Sequence, residues 1–243
     1  MRRRRPTTPI EGTRWSIQMT DDQSRTLIDP VTGVAFHSAS GGFAETKHVY
    51  LDNSGVSERL RRRQTTAVLE VGLGLGMGLL ATLDAAIVHC CELRYVAIEN
   101  NWLPAEILQE LKLDEFLTKP SLASDFCAWR ASLGPELTAG RYQRAFGPLQ
   151  DVTIEHCNAI DWHPQDETRF DAIYFDPFAP DVNPELWSTS FIKRMHAMLV
   201  PGGKLVTYCV NRKIRQTLAD AGFTPQRVPG PIGGKREVMV AEF

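Results

Sequence analysis

Apolar runs of strand length alternate with segments of helical length from residue 67 to the end of the chain. Five of these runs are apolar enough to be covered on both faces, which is typical of parallel strands in βαβ units. They are residues 67–71, 93–99, 152–156, 170–175 and 204–209. The pattern predicts an α/β fold with a doubly wound, Rossmann-like sheet. Because such sheets bind ligands at the carboxyl ends of their strands, we expect the functional residues there.

The first fifty residues have a different pattern. Short β segments at 14–19, 26–28 and 34–36 are separated by turn residues, which predicts a small antiparallel β appendage. We therefore divide the chain into an N-terminal appendage, 1–55, and an α/β domain, 56–243.

Two further segments complete the predicted α/β domain. The connection at about 101–147 has helical spacing broken by proline and glycine, which predicts a helical insertion of two or three helices. A helix at 213–220 and a last strand at 237–243 follow the fifth parallel strand.

Composition is that of a globular protein, with 43% hydrophobic and 23% charged residues among 243. The 27 Lys and Arg residues nearly balance the 29 Asp and Glu residues, so binding to nucleic acid would need a local basic patch. The segment from Lys193 to the end is one candidate, with nine basic and three acidic residues. The arginines at 2–5 and 61–63 are further candidates, although short charge runs are more often solvated surface.

The cysteines and the N-terminus indicate a cytoplasmic protein. Five cysteines form no CxxC pair, and the arginine-rich start is followed by Pro6 and Pro9 instead of an apolar export signal. The longest apolar stretch, 67–83, contains Glu70 and four glycines, which is unsuitable for a membrane span. The six histidines lack the spacing of metal ligands, so we expect no metal site.

A glycine-rich turn follows the first parallel strand. It comprises Glu70, Gly72, Gly74, Gly76 and Gly78. Glycine permits positive φ and lets a ligand approach the backbone closely. The spacing differs from the dinucleotide fingerprint, because Met77 stands where a third glycine is required, and the Walker lysine is missing as well.

This turn resembles motif I of the class I S-adenosylmethionine-dependent methyltransferases, whose pattern is acidic-x-Gly-x-Gly-x-Gly. The resemblance implies S-adenosyl-L-methionine as the cofactor. A carboxylate at Glu70 would favour the ammonium and sulfonium charges of that cofactor. A turn that only packs a helix against a strand is the alternative interpretation.

The next two predicted strands supply further cofactor candidates. Glu99 ends the second strand, where nucleotide-binding sheets use a carboxylate to accept the ribose hydroxyls. Asn158 and Asp161 follow the third strand, and either could accept a hydrogen bond from an adenine amino group. For both of these residues a helix cap is the alternative.

The fourth predicted strand ends at Asp176, and Pro177 and Phe178 follow it. A strand-end carboxylate, a loop stiffened by proline and an aromatic face suit an amine or a planar acceptor. Asp176 would accept a hydrogen bond from the amine and aim its lone pair at the methyl group. Phe178 and Trp187 are candidates for stacking on a flipped base, with buried loop packing an equal alternative for Trp187.

Residues 176–187 resemble the Asp-Gly-Phe-Ala-Pro-x-x-Asn-Pro-x-x-Trp signature of the MnmC-type methyltransferase domain. Residues 42–51, which include Glu45, and residues 233–237 resemble two further motifs of that family. The resemblance implies methylation of the aminomethyl group of 5-aminomethyl-2-thiouridine at the tRNA wobble position. The substrate-binding residues it implies are Glu45, Trp187, Lys235 and Arg236.

Three positions depart from the family pattern. Pro177 replaces a glycine, Gly78 an asparagine and His48 a tyrosine. Pro177 makes the loop similar to the Asp-Pro-Pro-Tyr motif of amine methyltransferases, so we still expect amine methylation.

Fused members of the family carry a flavin oxidoreductase domain that this sequence lacks. We therefore expect a stand-alone methyltransferase, with a separate flavin-dependent oxidoreductase as a candidate partner. Two alternatives stay open. One is a methyltransferase or aminopropyltransferase for a small-molecule amine, and the other is a non-catalytic cofactor-binding or RNA-binding protein.

Overall fold

The chain folds around two β-sheets. The computed structural model describes residues 5–30, 33, 35–165, 167–231, 233–234 and 236–243. The smaller, antiparallel sheet has the order β1-β2-β3 and consists of β1 (Thr7–Pro9), β2 (Ser16–Met19) and β3 (Arg25–Ile28). The predicted segment at 34–36 contributes only a single bridge from Ala35 to Ile28, and Val34 lies outside the described residues.

The larger sheet has eight strands in the order β10-β11-β9-β8-β4-β5-β7-β6. Its strands are β4 (Thr66–Val71), β5 (Leu93–Glu99), β6 (Gly140–Gly147), β7 (Gln150–His156), β8 (Phe170–Phe175), β9 (Leu199–Thr207), β10 (Thr224–Pro229) and β11 (Glu237–Glu242). The five central strands β4, β5, β7, β8 and β9 are parallel, and the others pair antiparallel at the two edges. The predicted doubly wound α/β fold is confirmed.

Helices cover both faces of this sheet. They are α1 (Gly42–Thr46), a π-helix (Lys47–Asp52), α2 (Val56–Arg61), α3 (Met77–Val88), α4 (Ala105–Gln109), a 3-10 helix (Leu113–Phe116), α5 (Ser121–Ser132), α6 (Thr189–Ala197) and α7 (Arg212–Asp220). No helix in the described part of the chain is long and apolar enough to cross a membrane.

The helical insertion predicted at about 101–147 is wrong at its C-terminal end. Residues 140–147 form β6, which pairs antiparallel with β7. Tyr142 and Phe146 pack on the core, whereas Arg141 forms an ion pair with Glu155 at 2.6 Å. Pairing with β7 therefore fixes an extended conformation for this segment.

The small sheet and the large sheet share one core. Trp15 and Leu27 belong to the same buried cluster as Val68 of β4 and Leu79 of α3. Side chains of β4 alternate between the two faces, since Leu69 packs into a second cluster with α6. The boundary placed after residue 55 stays a prediction.

The strand order reverses between β4 and β8. From β4 the chain proceeds to β5 and β7 on one side, and then to β8 and β9 on the other. Open α/β sheets bind ligands at the carboxyl ends of the strands that flank such a switch point. Here those ends carry Gly72 and Asp176.

Candidate functional site

A cleft of about 620 Å³ opens at the carboxyl ends of the central strands. Six carboxylates line it, and four of them come from different elements: Glu45 from α1, Glu70 from β4, Glu99 from β5 and Asp176 from the residue after β8. The other two are Asp29 and Glu185. A concentration of negative side chains in one cleft favours a cationic ligand.

The glycine-rich turn forms the floor of the cleft. Gly72 has φ 91°, and a Cβ placed there would lie 2.7 Å from the backbone oxygen of Asp176. Gly74 has φ 52° and donates its N–H to Glu99 Oε2 at 3.0 Å. Both positions need glycine, and together they leave a loop without side chains over which a ligand can lie.

Gly76 differs from Gly72 and Gly74 in its position relative to the cleft. It precedes α3 with φ 76°, does not line the cleft, and a Cβ there would lie 3.1 Å from the Phe126 ring. Gly76 therefore shapes the turn without lining the cleft, and its predicted role in cofactor binding stays a prediction.

Glu99 is fixed by the backbone around it. Its Oε2 accepts the Gly74 N–H at 3.0 Å, and its Oε1 accepts the Asn101 N–H at 2.8 Å. An ionised carboxylate has about four acceptor sites, so two remain for a ribose diol. The geometry fits the predicted role of Glu99, which stays a prediction.

Glu70 is buried at the base of the cleft, with 3% of its surface exposed. Burial raises the pKa of its carboxyl well above the usual value, and the neighbouring Tyr95 hydroxyl only partly opposes this shift. Its Oε2 has no hydrogen-bond partner among the described residues. An orphaned acidic oxygen beside a side-chain-free loop fits a cationic group or a bridging water.

Gly78 is explained by the position of Glu70. A Cβ at residue 78 would overlap Glu70 Oε1, so a larger residue there would displace the carboxyl. In this chain, the packing of the Glu70 carboxyl therefore favours glycine at residue 78.

The structure separates the two adenine candidates. Asn158 lines the cleft together with Cys157 and Ala159, whereas Asp161 is exposed and lies outside it. The Asn158 Oδ1 accepts the Ile160 N–H at 3.0 Å, which is the local turn expected of asparagine. The cleft lining thus favours Asn158 over Asp161 as the adenine ligand, and both roles stay predictions.

Asp176 lines the cleft and is held by Tyr50. The Tyr50 hydroxyl, which comes from the π-helix, donates a hydrogen bond to Asp176 Oδ1. Burial, followed by the charge of Asp176, raises the pKa of Tyr50 well above its usual value. Tyr50 is therefore a protonated donor that stabilises negative charge on Asp176.

The loop after Asp176 is fastened on two sides. The Tyr208 hydroxyl donates to the Pro177 carbonyl at 2.9 Å, and the Trp187 indole N–H donates to the Phe178 carbonyl at 2.9 Å. The Phe178 ring is 49% exposed and meets Phe36 edge-on, with ring centroids 5.6 Å apart. The loop thus presents one aromatic face at the mouth of the cleft.

Trp187 cannot stack on a substrate base. Only 4% of its surface is exposed, and its ring packs edge-on against Phe175 at 4.9 Å. Of the two interpretations left open by the sequence, buried loop packing is the one that the structure contains. Its contribution to the site is the hydrogen bond that holds Phe178.

Glu45 is presented by a helix that the small sheet anchors. Asp22 Oδ2 accepts the Ala44 N–H at 2.8 Å, and Ser24 Oγ accepts the Gly42 N–H at 3.0 Å. The Ser38 hydroxyl donates to Glu45 Oε2. The turn between β2 and β3 therefore replaces a side-chain cap for α1 and fixes the direction of Glu45 into the cleft.

The C-terminal basic residues do not form one uniform face. Lys204 pairs with Glu242 at 3.1 Å, Arg227 pairs with Glu237 at 3.2 Å, and Arg194 donates to two backbone carbonyls. Arg236 is exposed but outside the cleft lining, and Lys235 lies outside the described residues. Three further cations of this segment are exposed in the first turn of α7.

The arginines at 61–63 lie at the wrong end of the sheet for a substrate in the cleft. They precede β4, whose carboxyl end carries Glu70, so the length of a six-residue strand, about 20 Å, separates them from the site. Arg61 and Arg62 also pair with Glu58 at 2.5 and 2.6 Å. Of the arginines at 2–5, only Arg5 is described, and it pairs with Asp21 at 2.9 Å.

Three polar groups of the site were missed by sequence reasoning: Tyr50, Tyr208 and Ser38. Tyr50 lies within the motif at 42–51, but nothing in its spacing relates it to a carboxylate 126 residues away. Tyr208 lies near the carboxyl end of the strand predicted at 204–209, and that position is the one sequence signal that could have indicated it.

The chain is similar in sequence to known methyltransferases. Residues 143–243 match the family model described as S-adenosyl-L-methionine-dependent methyltransferase. The chain is 30% identical over 225 residues to the tRNA 5-methylaminomethyl-2-thiouridine biosynthesis bifunctional protein MnmC of Burkholderia thailandensis, which covers 90% of this chain and 34% of that protein. The Burkholderia pseudomallei (strain 668) protein of the same description is 30% identical over 224 residues, with equal coverage. The chain spans about a third of the length of these curated relatives.

Solved structures share the fold. MNMC2 from Aquifex aeolicus has a TM-score of 0.71 and 22% identity, covering 99% of this chain and 71% of that one. Spermidine synthase from Thermotoga maritima has a TM-score of 0.55 and 13% identity, covering 98% and 72%. At these identities the similarity concerns the fold alone. The chain is therefore similar to the S-adenosyl-L-methionine-dependent methyltransferase family over residues 143–243, and to the MnmC proteins over 90% of its length.

Proposed function

We propose that this domain methylates the aminomethyl group of 5-aminomethyl-2-thiouridine at the wobble position of tRNA. The observation that carries the proposal is Asp176, which lies at the switch point of the sheet and is held by Tyr50 in a cleft lined by six carboxylates. The same proposal places the protein in the cytoplasm, with tRNA as its substrate and a separate flavin-dependent oxidoreductase as a partner in the modification.

The cofactor end of the cleft would be formed by β4, β5 and the turn after β7. Gly72 and Gly74 would leave room for S-adenosylmethionine over the backbone, Glu99 would accept hydrogen bonds from its ribose hydroxyls, and Asn158 would accept one from its adenine amino group. Glu70 lies where the ammonium of the methionine moiety would offset the cost of ionising a buried carboxyl. When bound, the cofactor supplies an electrophilic methyl group on its sulfonium.

The acceptor end would be organised by Asp176. Its carboxylate accepts a hydrogen bond from the amine N–H, which holds the nitrogen lone pair toward the methyl group. It would also offset the positive charge that develops on nitrogen as the new N–C bond forms and the methyl–sulfonium bond breaks. The methylated ammonium would then lose its proton to water. Because Tyr50 donates to Asp176 Oδ1, the carboxylate is oriented and its negative charge is stabilised. The main role of Asp176 in this proposal is thus to orient the amine and offset its charge, and removal of the amine proton is secondary.

The uridine ring would rest against Phe178. This ring is half exposed at the cleft mouth, and the hydrogen bonds from Tyr208 and Trp187 restrict the movement of its backbone. Stacking on a fixed aromatic face suits a base that has left its neighbours in a single-stranded loop. Glu45 lies on the other wall of the cleft, where it adds negative charge near the amine.

An acceptor competition tests the proposal against methyl or aminopropyl transfer to small amines. Purified protein receives labelled cofactor with tRNA bearing the aminomethyl nucleoside, with a linear diamine, or with both. We expect label in the tRNA, and transfer that weakens steeply as salt rises, because tRNA binding depends on phosphate contacts. Preferential labelling of the diamine, with little salt dependence, would contradict the proposal. Cofactor binding without any labelled product would indicate a non-catalytic protein.

A further inference from the structure

A group of exposed cations lies at the cleft end of the C-terminal segment. Its members are Arg212, Lys213 and Arg215 in the first four residues of α7, and Arg236 in the turn between β10 and β11. None of them has an acidic side chain within 4.0 Å in the part of the chain that the structure describes. We call this group the α7 basic cluster.

The α7 basic cluster contrasts with other basic residues of the chain. Lys204 and Arg227 pair with glutamates, and Arg61 and Arg62 share Glu58. Paired cations are neutralised locally and contribute little to binding a polyanion. Most of the described cations from residue 193 onward that lack an acidic partner therefore belong to the α7 basic cluster.

The topology puts this cluster beside the cleft. Helix α7 begins after the carboxyl end of β9, and Tyr208, which lines the cleft, is four residues before Arg212. Four residues span at most about 14 Å. The turn that carries Arg236 leads into β11 at the same edge of the sheet, because Met239 pairs with Thr207 at the end of β9.

Two hydrogen bonds join the parts of this surface. Arg227 Nη2 donates to the Val210 carbonyl at 3.0 Å, which ties the β10–β11 hairpin to the loop before α7. His48 Nε2 donates to the Pro229 carbonyl at 2.9 Å, which ties the hairpin to the π-helix that carries Tyr50. The cluster is thus held at a fixed position relative to the cleft.

Stability of α7 does not explain the cations. Asn211 caps the helix by accepting the Ile214 N–H at 2.8 Å, and Ile214 and Leu218 bury its apolar side. The N-terminus of a helix carries the positive end of the helix dipole, so cations there are slightly destabilising. The positive dipole and the cations add to one field, which suits an anionic partner.

We propose that the α7 basic cluster binds the phosphates of the tRNA that flank the nucleotide in the cleft. This inference rests on the proposed function, since it takes RNA as the substrate. The phosphates position the RNA without reading its sequence, whereas the cleft reads the modified base.

The test compares two triple variants that remove equal charge. R212Q/K213Q/R215Q changes the cluster, and R61Q/R62Q/R63Q changes three arginines at the opposite end of the sheet. Glutamine has nearly the helix propensity of lysine and arginine, so the helices are preserved. Cofactor affinity, measured for both variants, verifies that the cleft is intact.

The readout is the affinity for tRNA bearing 5-aminomethyl-2-thiouridine at several salt concentrations. We expect the α7 variant to bind more weakly. Its slope of log affinity against log salt should shrink by about 1 for each phosphate that the protein no longer neutralises, and thus by about 2 to 3. The variant at 61–63 should keep the wild-type slope. An unchanged slope in the α7 variant, or equal reductions in both variants, would overturn the inference.

Methyl transfer by the wild-type protein separates this outcome from the proposed function. If wild-type protein methylates the tRNA while the α7 variant binds it normally, the surface assignment fails and the function stands. If wild-type protein transfers no methyl group, the proposed function fails, and the salt dependence of tRNA binding alone then decides whether the α7 basic cluster binds phosphates.

Addition of R236Q to the α7 variant should reduce the slope of log affinity against log salt by about 1 more.

Discussion

Tyr50 and Asp176, 126 residues apart in the chain, are joined by a hydrogen bond from the phenol to Oδ1. The bond connects the π-helix that follows α1 to the carboxyl end of β8. It makes the N-terminal segment part of the proposed acceptor site, because the donor that orients Asp176 comes from outside the parallel sheet.

Replacement of Tyr50 by phenylalanine should lower kcat by about 10-fold to 100-fold, since a hydrogen bond to a charged group contributes about 1.5–3 kcal/mol. The ring would still pack against Tyr174, so cofactor affinity should not change. Y174F is the matched control, because its hydroxyl is equally buried but contacts Thr82 at 3.1 Å. Equal turnover of Y50F and Y174F would show that Tyr50 does not position Asp176.

Replacement of Asp176 by asparagine should reduce turnover by about 100-fold to 1,000-fold, the range for loss of one preorganised electrostatic group. Cofactor affinity should be retained, because Asp176 is assigned to the acceptor end. D181N changes an exposed aspartate of the same loop and should have wild-type kinetics. Steady-state rates with saturating cofactor provide the measurement, and near-normal turnover of D176N would refute the assigned role.

Phe178 and Trp187 should respond differently to alanine. F178A removes a half-exposed ring, so stability should change little while KM for tRNA rises by about 5-fold to 150-fold, since stacking contributes about 1–3 kcal/mol per base. W187A removes a buried ring and should cost about 3–5 kcal/mol of stability. Thermal unfolding and tRNA kinetics of the two variants distinguish these effects. A normal KM for F178A would eliminate stacking.

Glu70 should make stability depend on pH. Its pKa in the folded protein is raised by burial, so the folded state binds its proton more tightly than the unfolded state does. The free energy of unfolding should therefore be unaffected by Glu70 below pH of about 4. It should fall by up to about 1.4 kcal/mol per unit as pH rises toward the raised pKa.

The E70Q variant provides the reference for that dependence, because its side chain stays neutral. The difference in unfolding free energy between E70Q and wild-type protein, measured by urea denaturation without cofactor, should grow as pH rises above about 4. Parallel curves for the two proteins would mean that Glu70 has an ordinary pKa.

Much of the fold follows from local pattern. The apolar runs at 93–99 and 170–175 coincide with β5 and β8, because buried parallel strands need few other signals. Segment 140–147 was misassigned, since Tyr142 and Phe146, four residues apart, share a face in a helix and in a strand. Strand β10 was missed because Pro225 and Pro229 argue against a strand, although an edge position tolerates them.

Site residues were predictable from the sequence where their position depends only on the end of one strand. Glu99 and Asp176 follow apolar runs directly, and parallel strands bring such ends to one edge. Distinguishing Asn158 from Asp161 required the direction of the turn after β7, and the burial of Trp187 required the packing of Phe175. Tyr50 depends on a contact between distant segments, which no spacing rule contains.

The central claim is methyl transfer to one nucleoside of tRNA. The most direct measurement incubates the protein with labelled S-adenosylmethionine and tRNA bearing 5-aminomethyl-2-thiouridine, digests the tRNA and analyses the nucleosides by mass. We expect that nucleoside to gain one methyl group with wild-type protein and to stay almost unmodified with D176N. Unlabelled tRNA with wild-type protein that binds the cofactor would contradict the account.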